Sequence, residues 1–318
     1  QTVNINKMVL GDKAKNKVIE YVPHGLNTDF FKPIEESDEN LKNFKQTLFK
    51  NKEYDFVLLF NSRNIRRKSI LDTLLAWKVF TDQLPESKAK KAALILKTDP
   101  VDNNGTDLPR VIEYFFSDNP SDVLVLGTKL STQDMSHLYN CVDGVILLSS
   151  NEGWGLALTE SLLTGTPFIA NVTGGMQDQM RFVDKNGDWY TPSSDIPSNH
   201  RGTYKNHGKW AFPVYPSNIS LQGSVPTPYI FDDRCSWEDA AEQIKNLYSL
   251  TPAERKERGL AGMEWALGDE AGFTSEKMTN RLISYLDKLF ETWEPRSKYE
   301  FFKDTDLEKQ VLPHKLIY

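Results

Sequence analysis

Short apolar runs, each the length of a strand, return along this chain at intervals filled by stretches with helical spacing. The runs lie at 18–22, 55–60, 92–97, 123–126, 144–148 and 167–172. The helical stretches between most of them cover roughly 68–82, 108–117, 131–141 and 155–164. Strands alternating with helices build βαβ units, which place a parallel sheet between two helical layers. Val145, Ile146, Leu147 and Leu148 are apolar on both alternating faces, as a strand covered from both sides must be. The pattern predicts an α/β fold with a doubly wound, Rossmann-like parallel sheet.

Three more helices are expected to close the chain, at about 236–248, 252–266 and 275–293. Ser236 opens the first as N-cap, with Asp239 three residues on. Thr251, Pro252 and Glu254 open the second as cap, first helical residue and capping-box acid. The third repeats Met278, Leu282, Leu286, Leu289 and Trp293 along one helical stripe. Trp77, Trp237, Trp265 and Trp293 fit helix faces and read as core. Residues 185–227, rich in Pro, Ser, Asn, Gly and aromatics, read as an insertion with its own small structure or a functional loop.

Charge narrows the partners. The formal net charge is −6, which offers no basic field for nucleic acid or an anionic membrane. Cys141 and Cys235 fit no metal or redox spacing and read as reduced thiols, which favours a cytoplasmic setting, free or peripheral to a membrane. His24, His137, His200, His207 and His314 show no metal spacing. The Asp304-Thr-Asp306 triplet sits in a polar tail with no strand leading into it, so no metal is assigned there. Gly153-x-Gly155 lacks the third glycine of the dinucleotide fingerprint, which argues against NAD.

The most informative stretch is 144–167. It reads as a buried strand, a polar glycine turn, a helix, a glycine stop and a proline. In an open α/β sheet, ligands bind beyond the carboxyl ends of the strands, which is where the turn 149–155 falls. Gly153 and Gly155 permit close backbone approach, and the helix that follows points free N–H groups at the same spot. Such a terminus suits an anion, and diphosphate is the expected one. Glu152 and Glu160 frame the turn. Since a carboxylate repels diphosphate, their natural partners are sugar hydroxyls, which donate to it in pairs. The plain alternative makes Glu152 a helix cap and Glu160 a solvated charge.

The spacing Glu152-x7-Glu160, followed by Gly165-Thr-Pro and Gly174-Gly175, resembles the signature of retaining glycosyltransferases of the GT-B fold, glycosyltransferase family 4. Upstream, Val22-Pro-His-Gly-Leu-Asn and Phe31-Lys-Pro33 are similar to the linker that opens the family's C-terminal domain. Asn61-Ser-Arg63 through Lys68 is similar to its Gly-Arg…Lys-Gly turn. His24 stands where Asn is usual, Asn61-Ser62 where a Gly is common, and Gln177-Asp178 where a Glu often follows. The resemblance covers about 18–180 well and the rest loosely.

The resemblance implies the C-terminal, donor-binding half of a GT-B enzyme, with 1–22 as the end of a missing N-terminal domain and its linker. Residues 23–273 would form the nucleotide-sugar-binding domain, with 274–318 a C-terminal crossover helix and tail in which Phe301 and Phe302 meet the other domain. Arg63 and Lys68 would contact the donor diphosphate, and Glu152 the sugar hydroxyls. Gly153, Trp154, Gly155 and Leu156 would offer backbone N–H groups, and Glu160 would hold the ribose. Gly127, Thr128, Lys129 and Leu130 would lie against the base, with His24 and Gly25 in the interdomain cleft. Without the resemblance, Arg63 and Lys68 belong to a basic cluster with Arg66 and Arg67 on the turn after run 55–60.

The expected reaction is retaining transfer from a nucleotide-diphosphate sugar to a glycan, lipid or small-molecule acceptor, with no cofactor or metal. This chain alone would bind donor without turning over. A sugar phosphorylase, a nucleotide-sugar epimerase or a non-catalytic donor-binding module are the alternatives.

Overall fold

The computed structural model describes residues 2–190, 199–200, 202–225 and 227–295. A helix α1 (Thr2–Leu10) leads in, and α2 (Glu39–Phe49) precedes the sheet. The sheet region then runs β1 (Phe56–Asn61), α3 (Ile70–Asp82), α4 (Glu86–Ala89), β2 (Ala92–Lys97), α5 (Leu108–Phe116), β3 (Asp122–Val125), α6 (Thr132–Asn140), β4 (Gly144–Leu147), α7 (Leu156–Leu163), β5 (Phe168–Asn171), α8 (Met176–Met180) and β6 (Ala211–Val214). A hairpin, β7 (Asn218–Ser224) and β8 (Thr227–Arg234), follows. Three helices, α9 (Trp237–Tyr248), α10 (Pro252–Leu267) and α11 (Ser275–Thr292), come last.

Six strands form one parallel sheet in the order β3-β2-β1-β4-β5-β6. Its central strands are buried on both faces, as their unbroken apolar sequences require. Trp77 stacks on Phe56 with ring centroids 6.3 Å apart and donates its indole N–H to Ser121 Oγ at 3.1 Å. On the other flank Trp265 stacks on Trp210 at 5.0 Å. All seven expected helices are present, each within two residues of its expected ends. Thr251 caps α10 with a full capping box, and Ser236 caps α9 by accepting the Asp239 N–H at 3.0 Å.

Several expectations need correction. Run 18–22 is not a strand. It has no neighbouring strand to pair with, and the chain passes instead along the start of α11. There Leu26 N donates to Phe273 O at 3.1 Å and Ser275 N to Leu26 O at 2.9 Å. Segment 185–227 is more than an interruption, because it supplies β6, the sixth strand of the sheet, and then β7. Pro213 hid that strand. A proline is tolerated in a sheet only where its missing N–H faces away from a neighbour, and β6 is an edge. Trp237 and Trp293 are exposed rather than core. Trp237 sits in the first turn of α9, and α11 buries none of its described residues, so its stripe of Leu282, Leu286 and Leu289 faces solvent. Residues 296–318, with Phe301, Phe302, Asp304 and Asp306, lie outside the described residues.

Candidate functional site

The strand order reverses direction between β1 and β4, which lie side by side. At such a switch point the loops leaving the two strands part to opposite faces and open a crevice. The turn after β1 carries Arg63, Arg66, Arg67 and Lys68, and the turn after β4 carries Glu152, Gly153 and Gly155. They touch directly: Ser150 N donates to Arg67 O at 2.8 Å. Residues 66–68 form a single 3-10 turn that ends on Ser69 in the left-handed region, which aims Lys68 inward. Lys68 Nζ donates to Glu152 Oε1. Arg67 donates to Glu152 Oε2 at 3.2 Å and to Asn151 O at 2.9 Å. Glu152 and Lys68 are enclosed, with side chains 7% and 13% exposed, while Arg67 is 46% exposed.

Arg63 lies on the same turn but reaches the other way. Its Nε donates to Asp102 Oδ2 at 2.8 Å on the loop between β2 and α5. That bond, with one from Asn104 N, holds the Asp102 carboxyl below its ordinary range. Lys68 therefore meets the glycine turn directly and Arg63 does not, whereas Arg67, read from sequence as part of a surface cluster, does.

Two glycines elsewhere make the turn possible. Gly174 has φ +51, and a Cβ on it would stand 2.2 Å from Glu152 O. A Cβ on Gly175 would stand 2.1 Å from Gly153 O, and Gly175 N donates to Glu152 O at 3.0 Å. The backbone after β5 thus lies flat against the turn after β4. Trp154 pins the same turn from below. Its indole N–H donates to Thr159 Oγ1 at 2.8 Å, Gln179 Nε2 donates to Trp154 O at 2.8 Å, and its ring packs edge-on to Phe273. Gly155, at φ +88, starts α7, and Leu156 beside it is exposed. Gly153 has open space on the side where a Cβ would project.

Glu160 is held at the end of β1. Tyr139 OH and Asn61 Nδ2 both donate to its Oε2. Burial raises its carboxyl above the ordinary value, and the two hydrogen bonds draw it part of the way back. Gly127, Thr128, Lys129 and Leu130 follow β3, on the same carboxyl side of the sheet but two strands from β1. His24 is exposed and touches Trp154 edge-on, with ring centroids 5.7 Å apart. Gly25 permits a close approach, since a Cβ there would meet Thr274 O at 2.1 Å.

The hairpin adds groups that the sequence reading missed. Asp233 is buried at its base. Its N–H donates to Ser150 O at 2.9 Å, and its Oδ2 accepts from Thr173 Oγ1 at 2.6 Å. Asn171 Nδ2 bridges Asp233 O and Ser149 O at 2.8 and 3.0 Å. Neighbouring Asp232 faces Ser150 and Arg67. Nothing local marks Tyr139, Asn171 or Asp233 as site residues. Only the sheet order brings them together. Among the described residues, no three His, Cys, Asp or Glu side chains gather as metal ligands.

No family model matches the chain. An uncharacterized glycosyltransferase of Methanocaldococcus jannaschii is 24% identical over 116 residues, which is 36% of this chain and 27% of that protein. Sucrose-phosphate synthase of Thermosynechococcus elongatus superposes with a TM-score of 0.56 at 19% identity, over 86% of this chain and 53% of that one. HepE of Anabaena, solved with UDP-glucose, gives 0.55 at 18% identity, over 83% and 56%. The C-terminal domain of the group 1 glycosyl transferase LpcC of Francisella tularensis gives 0.51 at 16% identity, over 77% and 98%. The fold is that of the Rossmann-like domain of GT-B glycosyltransferases. The chain spans about half the length of the sucrose-phosphate synthase and HepE chains and about a quarter of the curated relative, while it matches nearly all of the isolated LpcC domain.

Proposed function

We propose that this chain is the donor-binding half of a retaining glycosyltransferase of family 4, which takes a sugar from a nucleotide-diphosphate donor and passes it to a glycan, lipid or small-molecule acceptor. The observation that carries this is the meeting of Lys68, Arg67 and Glu152 across the switch point, beside the free N–H groups that open α7. Of four cations within six residues, Arg63 pairs with Asp102 and Arg67 and Lys68 share Glu152, so four positive charges meet two carboxylates. The remaining positive charge suits a diphosphate.

In this reading the bond between the sugar C1 and the diphosphate oxygen breaks, and the diphosphate leaves with the electron pair. The acceptor oxygen bonds C1 on the face the diphosphate leaves, so configuration is retained, and the acceptor hydroxyl passes its proton to the departing diphosphate oxygen. Lys68 and the α7 terminus stabilise the growing negative charge, and Arg63 joins them when the diphosphate competes with Asp102. Glu152 accepts hydrogen bonds from the sugar, and Glu160 from the ribose. Gly127, Thr128, Lys129 and Leu130 lie against the base, and His24 lines the interdomain side. The reaction needs no metal. Groups for the acceptor come from a further domain, so residues 1–318 bind donor without transferring it. The buried, unpaired thiols of Cys141 and Cys235 agree with a cytoplasmic setting, and no described helix is long and apolar enough to cross a membrane.

Calorimetry of the chain with UDP, GDP and ADP tests the reading, which predicts that at least one binds and that Lys68→Ala weakens it. No heat with any of them would reduce the chain to a module that has lost its site. Product analysis on the active enzyme, with and without free phosphate, separates transfer from phosphorolysis and epimerisation.

Glu160 gives a pH-dependent test. Its folded pKa lies above its unfolded value, so the fold keeps a proton that the unfolded chain has released. Stability then falls as pH rises from the ordinary carboxylate range through the folded value. Glu160→Gln removes that loss, and its Tm advantage over the parent should grow with pH across the same window. The variant should also bind the nucleotide about tenfold more weakly, since charge-assisted bonds to the ribose are lost. A Tm difference that does not change with pH would contradict the titration.

A further inference from the structure

Glu160 is held by one carboxylate oxygen and left free at the other. Tyr139 OH and Asn61 Nδ2 both donate to Oε2, the second at 3.2 Å, and Oε1 meets no donor among the described residues. Glu160 is half-buried in the second turn of α7, and Oε1 is not one of its enclosed atoms. The two donors come from other elements: Asn61 closes β1, and Tyr139 lies in the last turn of α6. They are also joined to each other. Asn61 Nδ2 donates to the Tyr139 hydroxyl oxygen at 2.8 Å, and that hydroxyl gives its own proton to Glu160. The Tyr139 ring has no room to swing. It is fully buried and edge-on to Phe31 at 6.4 Å, and its carbonyl accepts from Thr166 Oγ1 at 3.1 Å. Burial, and after it the Glu160 charge, raises the Tyr139 hydroxyl well above its ordinary value, so it stays protonated and stays a donor.

We infer that Tyr139 and Asn61 are positioning residues that brace the Glu160 carboxylate with Oε1 turned to the ribose, and that this bracing lets the site choose ribonucleotides over deoxyribonucleotides. This rests on the donor-binding reading, in which Glu160 holds the ribose, and adds to it the groups that set the selectivity of that contact. An unbraced glutamate has several rotatable bonds, whose freedom is lost when a ligand arrives. Here Oε2 is tied on folding, so the loss does not fall on binding, and Oε1 is a ready acceptor. A site built to accept from a hydroxyl rejects the analogue that lacks it, because the acceptor is then left unpaired. Tyr139, with no exposed surface, acts only through Glu160.

The test compares the 1–318 chain with Tyr139→Phe, Asn61→Ala, Glu160→Ala and the double variant Tyr139→Phe/Glu160→Ala. The probes are UDP, GDP and ADP with their 2′-deoxy and 3′-deoxy counterparts, titrated by calorimetry, with Tm as the check on folding. The parent should bind a ribonucleotide about tenfold or more tightly than at least one of its two deoxy forms. Tyr139→Phe and Asn61→Ala should each weaken the ribonucleotide about fivefold and leave that deoxy form within about twofold of the parent, so selectivity falls. On the Glu160→Ala background, Tyr139→Phe should change affinity by less than about twofold, because the group it braces is gone. Equal weakening of the ribo and deoxy forms, selectivity unchanged in both single variants, or a full further loss on the Glu160→Ala background would each overturn the bracing role. A parent that binds nucleotide without telling the sugars apart would take Glu160 away from the ribose and the brace with it. No binding of any nucleotide would sink the donor reading itself, so the failures are separable.

Discussion

Replacing Lys68 with alanine should lower the rate of sugar transfer by roughly 100-fold or more, the usual consequence of deleting one preorganised donor aimed at developing negative charge. The effect should fall on kcat, measured in the active enzyme, because the charge on the leaving diphosphate is greatest in the transition state. Stability complicates this variant. Glu152 is 7% exposed, and Lys68 and Arg67 are its ion-pair partners among the described residues. Removing one partner of a buried carboxylate destabilises by about 3 kcal/mol, less here because Arg67 remains. The double variant Lys68→Ala/Glu152→Gln separates the two effects. It should regain most of the lost Tm, since the enclosed carboxylate is gone and Arg67, which loses its partner, is 46% exposed to water, and it should regain none of the lost rate. A Lys68→Ala enzyme that turns over like the parent would remove Lys68 from the mechanism.

The second large effect is steric. Gly175→Val places side-chain atoms where Gly153 O already stands 2.1 Å from a Cβ position. Backbone lies on both sides of that contact, so no rotamer relieves it. The expected loss is about 3 kcal/mol or more in urea denaturation, with nucleotide binding abolished because the turn bearing Glu152 must move. Gly153→Ala is the matched control. A Cβ there meets nothing within 4 Å, so stability should change by less than about 0.5 kcal/mol. The methyl group would project into the open side of the turn, where the donor approaches, so donor affinity should fall even so. If Gly175→Val unfolds no more easily than Gly153→Ala, the close packing of the two turns is not what shapes the site.

The central fold was readable because periodicity survives without tertiary knowledge. Runs such as 92–97 and 144–148 are apolar on both faces, which only a covered parallel strand requires, and β2 and β4 lie there. The edges were harder to see. The four residues of β6 contain a proline, and run 18–22 has a strand's composition but no neighbour, because strand character needs a partner as well as a sequence. Of the site, the turn at Gly153 and Gly155, Lys68 and Glu152 lie on motifs with fixed spacing, but the ion pair between Lys68 and Glu152 comes from the fold alone. Arg67 was hidden among three adjacent cations, Arg66 to Lys68, and only the 3-10 turn decides which of them points inward. Asn171, Tyr139 and Asp233 come from three separate elements, so no linear pattern could gather them.

Pro213 has a further consequence. Carbonyls of Trp210 and Val214 accept bonds from β5, so residues 211 and 213 turn their polar groups outward. Proline at 213 deletes the N–H that a visiting strand would need on that flank. All four residues of β6 are also buried, so the covering segments and the missing N–H together close this side to sheet-to-sheet addition, the common route from an open α/β rim to filaments. The protein should stay free of such filaments, and a Pro213→Val form should do so too while the segments that bury β6 stay in place.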